Sequence, residues 1–99
     1  MRTLFITLLF VSAFAYTQKT SNTISGVVTS YGAPLARVNI AIKDSSEGIQ
    51  SDAAGKYEIQ ANPRDVLVFS YVGMNTIEII IEDVTTVLNI ELLPRVEEL

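Results

Sequence analysis

Four carboxylates, Asp44, Glu47, Asp52 and Asp83, are the side chains of this sequence best suited to chemistry. Each falls in or beside a run of turn-forming residues, and oxygen-rich turns bind calcium. Calcium loops space their ligands as D-x-[DN]-x-[DN]-G, and that spacing does not occur here. Asp in a turn also accepts bonds from its own downstream amides, and the carboxylates are read in that role. The chain has no His and no Cys. A hydrolytic zinc site draws on those two residue types, and a Ser or Thr nucleophile needs a base, usually His. A carboxylate pair of the glycosidase kind needs a groove held by a larger scaffold. The expectation is therefore a protein that is not an enzyme, with no catalytic, cofactor-binding or metal residues.

Tyr31, Tyr57, Phe69 and Tyr71 could stack against a sugar. Tyr57 and Phe69 fall on strand faces expected to be core, and Tyr71 lies in the most apolar run. Only Tyr31 is expected at the surface, and one aromatic is no platform. That leaves the edges of whatever sheets form, since an unpaired edge accepts a strand from a partner. Glu78, Glu82 and Glu91 stand beside Ile-rich runs and read as charges that keep such edges from pairing indiscriminately.

The elements that must position these residues are strands. From Ile24 the hydrophobic period is close to two, with Ile24, Gly26 and Val28 on one face. Val38, Ile40 and Ile42 alternate with polar neighbours, as do Tyr57 and Ile59. Val66 to Val72 is the longest apolar run after the first residues and suits a central strand covered on both faces. Ile77, Ile79 and Ile81 share a face, and Leu88, Ile90 and Leu92 alternate with Val87, Asn89, Glu91 and Leu93. Turns fall at Ser30–Pro34, Asp44–Gly48, Asp52–Gly55, Asn62–Asp65 and Gly73–Asn75. About seven short strands with short connections predict an all-β, two-layer antiparallel sandwich. The expected core includes Val28, Val38, Ile40, Ile42, Tyr57, Ile59, Val68, Phe69 and Ile79.

The chain begins differently. Met1-Arg2 gives a basic start, Leu4 to Phe14 is almost continuously apolar, and Ala13-Phe14-Ala15 offers a small-x-small cleavage pattern. This reads as a signal peptide over residues 1–15, because a run of about 11 apolar residues is too short to span a bilayer. Residues 16–23 read as a flexible lead-in, 24–93 as the sandwich, and 94–99 as a linker or frayed end. Without Arg2, six cations face eleven acids, a net charge of −5. The cations are scattered, which disfavours nucleic acid and anionic membrane surfaces as partners.

The order of strands and turns resembles the carboxypeptidase regulatory-like domain. The resemblance covers Ile24 to Leu92. Its most specific parts are Asp52-x-x-Gly55-x-Tyr57 and Phe69-Ser70-Tyr71-Val72-Gly73. It implies a seven-stranded transthyretin-like sandwich. The second motif is similar to the form found at the N-terminus of starch-utilisation-type TonB-dependent outer-membrane receptors. It therefore implies an exported, non-catalytic accessory module in the periplasm or at the outer membrane, with envelope proteins as partners and turns such as Asp44–Gly48 and Asp52–Gly55 as contact points. A stand-alone periplasmic or secreted binding or structural domain is the alternative. The chain departs from the family pattern at Ser30, where the family usually has Asp, at Arg37, where it usually has Gly, and at Met74, where an aromatic is common.

Overall fold

The computed structural model describes residues 21–96. The expected signal peptide, most of the lead-in and the last three residues lie outside that range. Two sheets pack face to face. Strands β1 (Asn22–Ser30), β2 (Ala33–Pro34), β5 (Lys56–Ala61) and β8 (Ile90–Glu91) form one sheet. Strands β3 (Asn39–Ile42), β4 (Gly48–Gln50), β6 (Val66–Ser70) and β7 (Ile77–Ile80) form the other, in the order β4-β3-β6-β7. β1 begins at Asn22, two residues inside the stretch read as lead-in.

The period-two pattern does what it should. Ile24 and Val28 from β1, Val38, Ile40 and Ile42 around β3, Tyr57, Ile59 and Ala61 from β5, and Phe69 from β6 are all buried between the sheets. Ile81, Ile90 and Leu92 close the core. Burying a side chain of this size contributes about 1.5–3 kcal/mol, and with no cysteine in the chain such packing carries the fold.

Two expectations about β6 are corrected. The strand stops at Ser70, because Tyr71-Val72-Gly73-Met74 is a turn in which the Met74 amide donates to the Tyr71 carbonyl at 3.0 Å. Gly73 sits at φ +80°, the third-position geometry of a type II turn, and Val72 points into solvent. Nor is β6 covered on both faces. Its pairing with β3 and β7 fixes Leu67 and Phe69 inward and leaves Val66 and Val68 half-buried on the outer face. Val68 is thus not a core residue and Leu67 is. The Lys43–Glu78 ion pair, at 3.3 Å, spans β6 beside Val68 and shields that outer face. Ile79 packs against the core from a half-buried position.

The described residues hold eight extended segments where about seven were expected, and one pairing is parallel. β8 lies beside β1 in the same direction, with Val28 opposite Ile90 and Thr29 opposite Glu91. Short connections exclude parallel pairs only between consecutive strands. β1 and β8 are separated by most of the domain, so that constraint does not reach them.

Four residues other than glycine take the left-handed backbone: Tyr31, Arg37, Asp44 and Arg64. Tyr31 and Gly32, at φ 51° and 83°, make the two-residue hairpin turn whose twist suits antiparallel strands. Arg37, at φ 65°, occupies the position where the family pattern has Gly. Asn62-Pro63-Arg64-Asp65 is a type II turn closed by a 3.0 Å bond from the Asp65 amide to the Asn62 carbonyl, with Arg64 at φ 78°. A left-handed side chain costs about 1–2 kcal/mol, and glycine returns part of that as chain entropy. Arg64→Gly should therefore raise stability by about 0.5 kcal/mol, or about 2–4 °C in melting temperature. A melting curve that is unchanged or lowered would refute the turn assignment.

Candidate functional site

Where the structure places the candidate side chains settles most of their roles. The carboxylates do not converge: among the described residues no three Asp or Glu gather as a metal-ligating group. Asp52 is committed to its own turn. Its Oδ1 accepts the amides of Ala54 and Lys56, both at 2.9 Å, and its backbone exchanges bonds with Gly55 and Lys56. Asp44 sits in the β3–β4 turn and Asp83 in the loop after β7, at separate places in the fold. Glu47 alone borders a groove.

The aromatics behave as core. Phe69 is fully buried, and the Tyr57 ring meets it edge to face with centroids 5.5 Å apart and planes at 78°, a favoured aromatic geometry. Tyr71 is half-buried against the core, and Tyr31 is exposed. The expected edge charges have specific partners. Glu78 pairs with Lys43, and Glu91 Oε2 accepts the Tyr31 amide at 3.1 Å, which ties β8 to the hairpin turn.

Several residues that shape the module gave no chemical signal in the sequence. The Tyr57 hydroxyl donates to the Leu88 carbonyl at 2.6 Å. That carbonyl occupies the space where a Cβ on Gly26 would lie. Leu88 is thereby turned out of the parallel ladder, in which its oxygen would have met the Val27 amide. Val27 donates to Asn89 Oδ1 instead, at 2.9 Å. Ser51 is a second hidden organiser. Its buried hydroxyl accepts the Val38 amide at 3.0 Å and donates to the Leu35 carbonyl at 2.7 Å, pinning the chain between β2 and β3. A glycine inside a strand was the available clue to the first, because it marks close backbone approach. Ser51 offered none.

The two sides of the sandwich differ. On one, the exit segment joins the sheets: Asn75 donates to the Leu93 carbonyl and Arg95 to the Gly73 carbonyl, both at 2.9 Å. On the other, β4 and β5 are the outer strands, and among the described residues no backbone hydrogen bond joins them. A groove of about 480 Å³ runs between them, lined by Glu47, Gly48, Ile49, Glu58, Ile59 and Gln60. Its floor is apolar and its charged groups are both acidic.

A small sandwich whose polar side chains serve turns and strand contacts, and whose distinctive surface is a strand edge, defines a class of interaction modules. This chain belongs to the CarboxypepD_reg-like domain family, whose model matches residues 24–99. It is 43% identical over 60 residues to TonB-dependent receptor P26 of Formosa agariphila, covering 61% of this chain and 6% of the receptor. It is 38% identical over 79 residues to TonB-dependent receptor P3 of the same organism, covering 77% of this chain and 8% of the receptor. The chain thus spans less than a tenth of the length of these curated relatives.

Gly26→Ala should destabilise the domain by about 3 kcal/mol in urea unfolding, because the new methyl meets fixed backbone. In an ordinary strand the same change is favourable by about 0.5–1 kcal/mol, so the sign alone tests the close approach. Tyr57 gives a pH signature. Burial pushes its hydroxyl from an ordinary value of 10.0 up to about 12. The folded state then holds a proton that the unfolded chain has released, so the contribution is intact below pH 10 and lost as pH rises toward 12. Tyr57→Phe should cost about 1–2 kcal/mol at neutral pH by leaving the Leu88 carbonyl unpaired. The gap between wild type and Tyr57→Phe should narrow across that alkaline window. A gap that is constant with pH would exclude the buried hydroxyl as its source.

Proposed function

We propose that this chain is an exported, non-catalytic module that serves a TonB-dependent nutrient-uptake receptor system in the periplasm, working through protein contacts. The observation that carries this reading is the identity to two TonB-dependent receptors over most of the sandwich. Export is supported by the basic start, the apolar run and the Ala13-Phe14-Ala15 pattern. The non-catalytic role is supported by the lack of His and Cys and by the commitment of Asp52, Tyr57 and Ser51 to internal bonds. Among the described residues no helix is long and apolar enough to cross a membrane. Rigid edges and turns are then what the module offers a partner.

An antibody raised against residues 24–93 tests the proposal in the native host. The module should fractionate with the cell envelope with its N-terminus near Tyr16, and it should be found within a receptor-sized polypeptide or crosslinked to one through a photoreactive residue at the exposed Val72. Recovery from the cytoplasm with Met1 intact would overturn the export claim. Recovery from the envelope with no receptor-sized partner would overturn the receptor role in favour of a stand-alone domain.

A further inference from the structure

We propose that the open side between β4 and β5 is a docking edge for an extended peptide that alternates basic and apolar residues and adds as a strand to β5. The inference rests on the protein-contact role above and gives it a surface and a ligand class.

The main chain comes first. The Val28 amide donates to the Gly55 carbonyl at 2.8 Å, so these two residues form a hydrogen-bonded pair. Along an antiparallel ladder such pairs alternate. Gly26–Tyr57, Ile24–Ile59 and Asn22–Ala61 are therefore the bonded pairs between β1 and β5. The amides and carbonyls of Lys56, Glu58 and Gln60 point the other way. Those of Lys56 are taken by Asp52. Those of Glu58 and Gln60 have no backbone partner among the described residues and face the groove. A strand laid along β5 would satisfy both residues.

The side chains then select what that strand carries. Successive residues of an added strand point to opposite faces of the sheet. On the inner face the neighbours are Ile59 and, across the groove, the half-buried Ile49, both packed in the core cluster. On the outer face the neighbour is Glu58, and Glu47 stands at the β4 margin. No cation lines the groove. Apolar residues facing inward and Lys or Arg facing outward match this arrangement. A second copy of the same edge does not, because antiparallel pairing of β5 with itself sets Glu58 near Glu58, which is unfavourable.

The opposite side of the sandwich cannot do this. There the edge of β8 is continued by Leu93 to Arg95, and these residues are already bonded to Gly73 and Asn75.

The test uses the purified protein, uniformly nitrogen-15 labelled, titrated with the capped hexapeptide Lys-Val-Lys-Val-Lys-Val. Amide shifts should saturate and concentrate at residues 47–50 and 58–60. Charge reversal by Glu47→Lys with Glu58→Lys should weaken binding roughly fivefold or more. A peptide N-methylated at alternate residues should lose binding, because it lacks the donors the edge requires. Neither change touches the core, and the methylated peptide leaves the protein unaltered. Scattered or absent shifts would overturn the proposal. So would equal binding of a Glu-Val peptide, equal binding of the methylated peptide, or a peptide-free dimer through the same residues. These outcomes leave the receptor assignment standing, since that is decided by fractionation and crosslinking in the host.

Discussion

The Leu88 carbonyl is the point on which the sandwich turns. It lies under β1 in the space that Gly26 leaves open, and it accepts the Tyr57 hydroxyl from β5. Three segments of one sheet meet there, and the Tyr57 ring carries the contact across to Phe69 in the other. A polar bond inside an apolar core is costly to break, because each buried group left alone loses its full solvation. The consequence spreads along the chain. With the Leu88 oxygen turned inward, the Val27 amide needs another acceptor, and Asn89 supplies it from a side chain. The last strand is thus held beside β1 by a mixture of backbone and side-chain bonds, where an undisturbed ladder would use backbone alone.

That arrangement gives physical content to two of the family-like motifs. In Asp52-x-x-Gly55-x-Tyr57, Asp52 closes the turn on the amides of Ala54 and Lys56. Gly55 takes φ +78° where a Cβ would press on the Val28 carbonyl, and Tyr57 reaches Leu88. Each residue solves a separate local problem, and the spacing follows from the turn. In Phe69-Ser70-Tyr71-Val72-Gly73 the first residue is core and the last three are a turn. Gly73 then offers its carbonyl to Arg95, so the motif also anchors the exit segment.

Most of the fold was legible because strands on a half-buried surface must alternate, and Gly, Pro, Asn and Asp punctuate the turns. Tyr57, Ile59, Val38, Ile40 and Ile42 were placed by that rule alone. It failed where the sequence lacks contrast. From Val66 to Phe69 every residue is apolar, so nothing local says whether Leu67 or Val68 faces inward, and only pairing with β3 decides it. The parallel placement of β8 was hidden for a related reason: pairing between distant strands leaves no mark on the spacing of either. Ser51 was hidden more deeply, since its partners Leu35 and Val38 lie 16 and 13 residues away. Of the candidate site, the acidic character of Glu47 and Glu58 was visible, but which strands become edges is a property of the whole topology.

The same topology explains why the two sides of the module are unequal. The chain must cross from one sheet to the other, and each crossing either closes a side or leaves it open. The crossing after β7 brings Leu93 to Arg95 back against Gly73 and Asn75, so main-chain bonds seal that side. The crossing between β4 and β5 is only the short Asp52 turn, which joins the two strands at one end and satisfies itself. Beyond that turn each strand has its partner on one flank only: β3 for β4, and β1 for β5. An open flank is a hazard unless something limits what pairs with it. β4 is three residues long, and β5 alternates Lys56, Glu58 and Gln60 on its solvent face. Such an edge disfavours itself as a partner and retains main-chain groups for a strand of opposite charge. In a domain whose interior polar groups are already spent on holding the two sheets in register, that remaining flank is where specificity can reside.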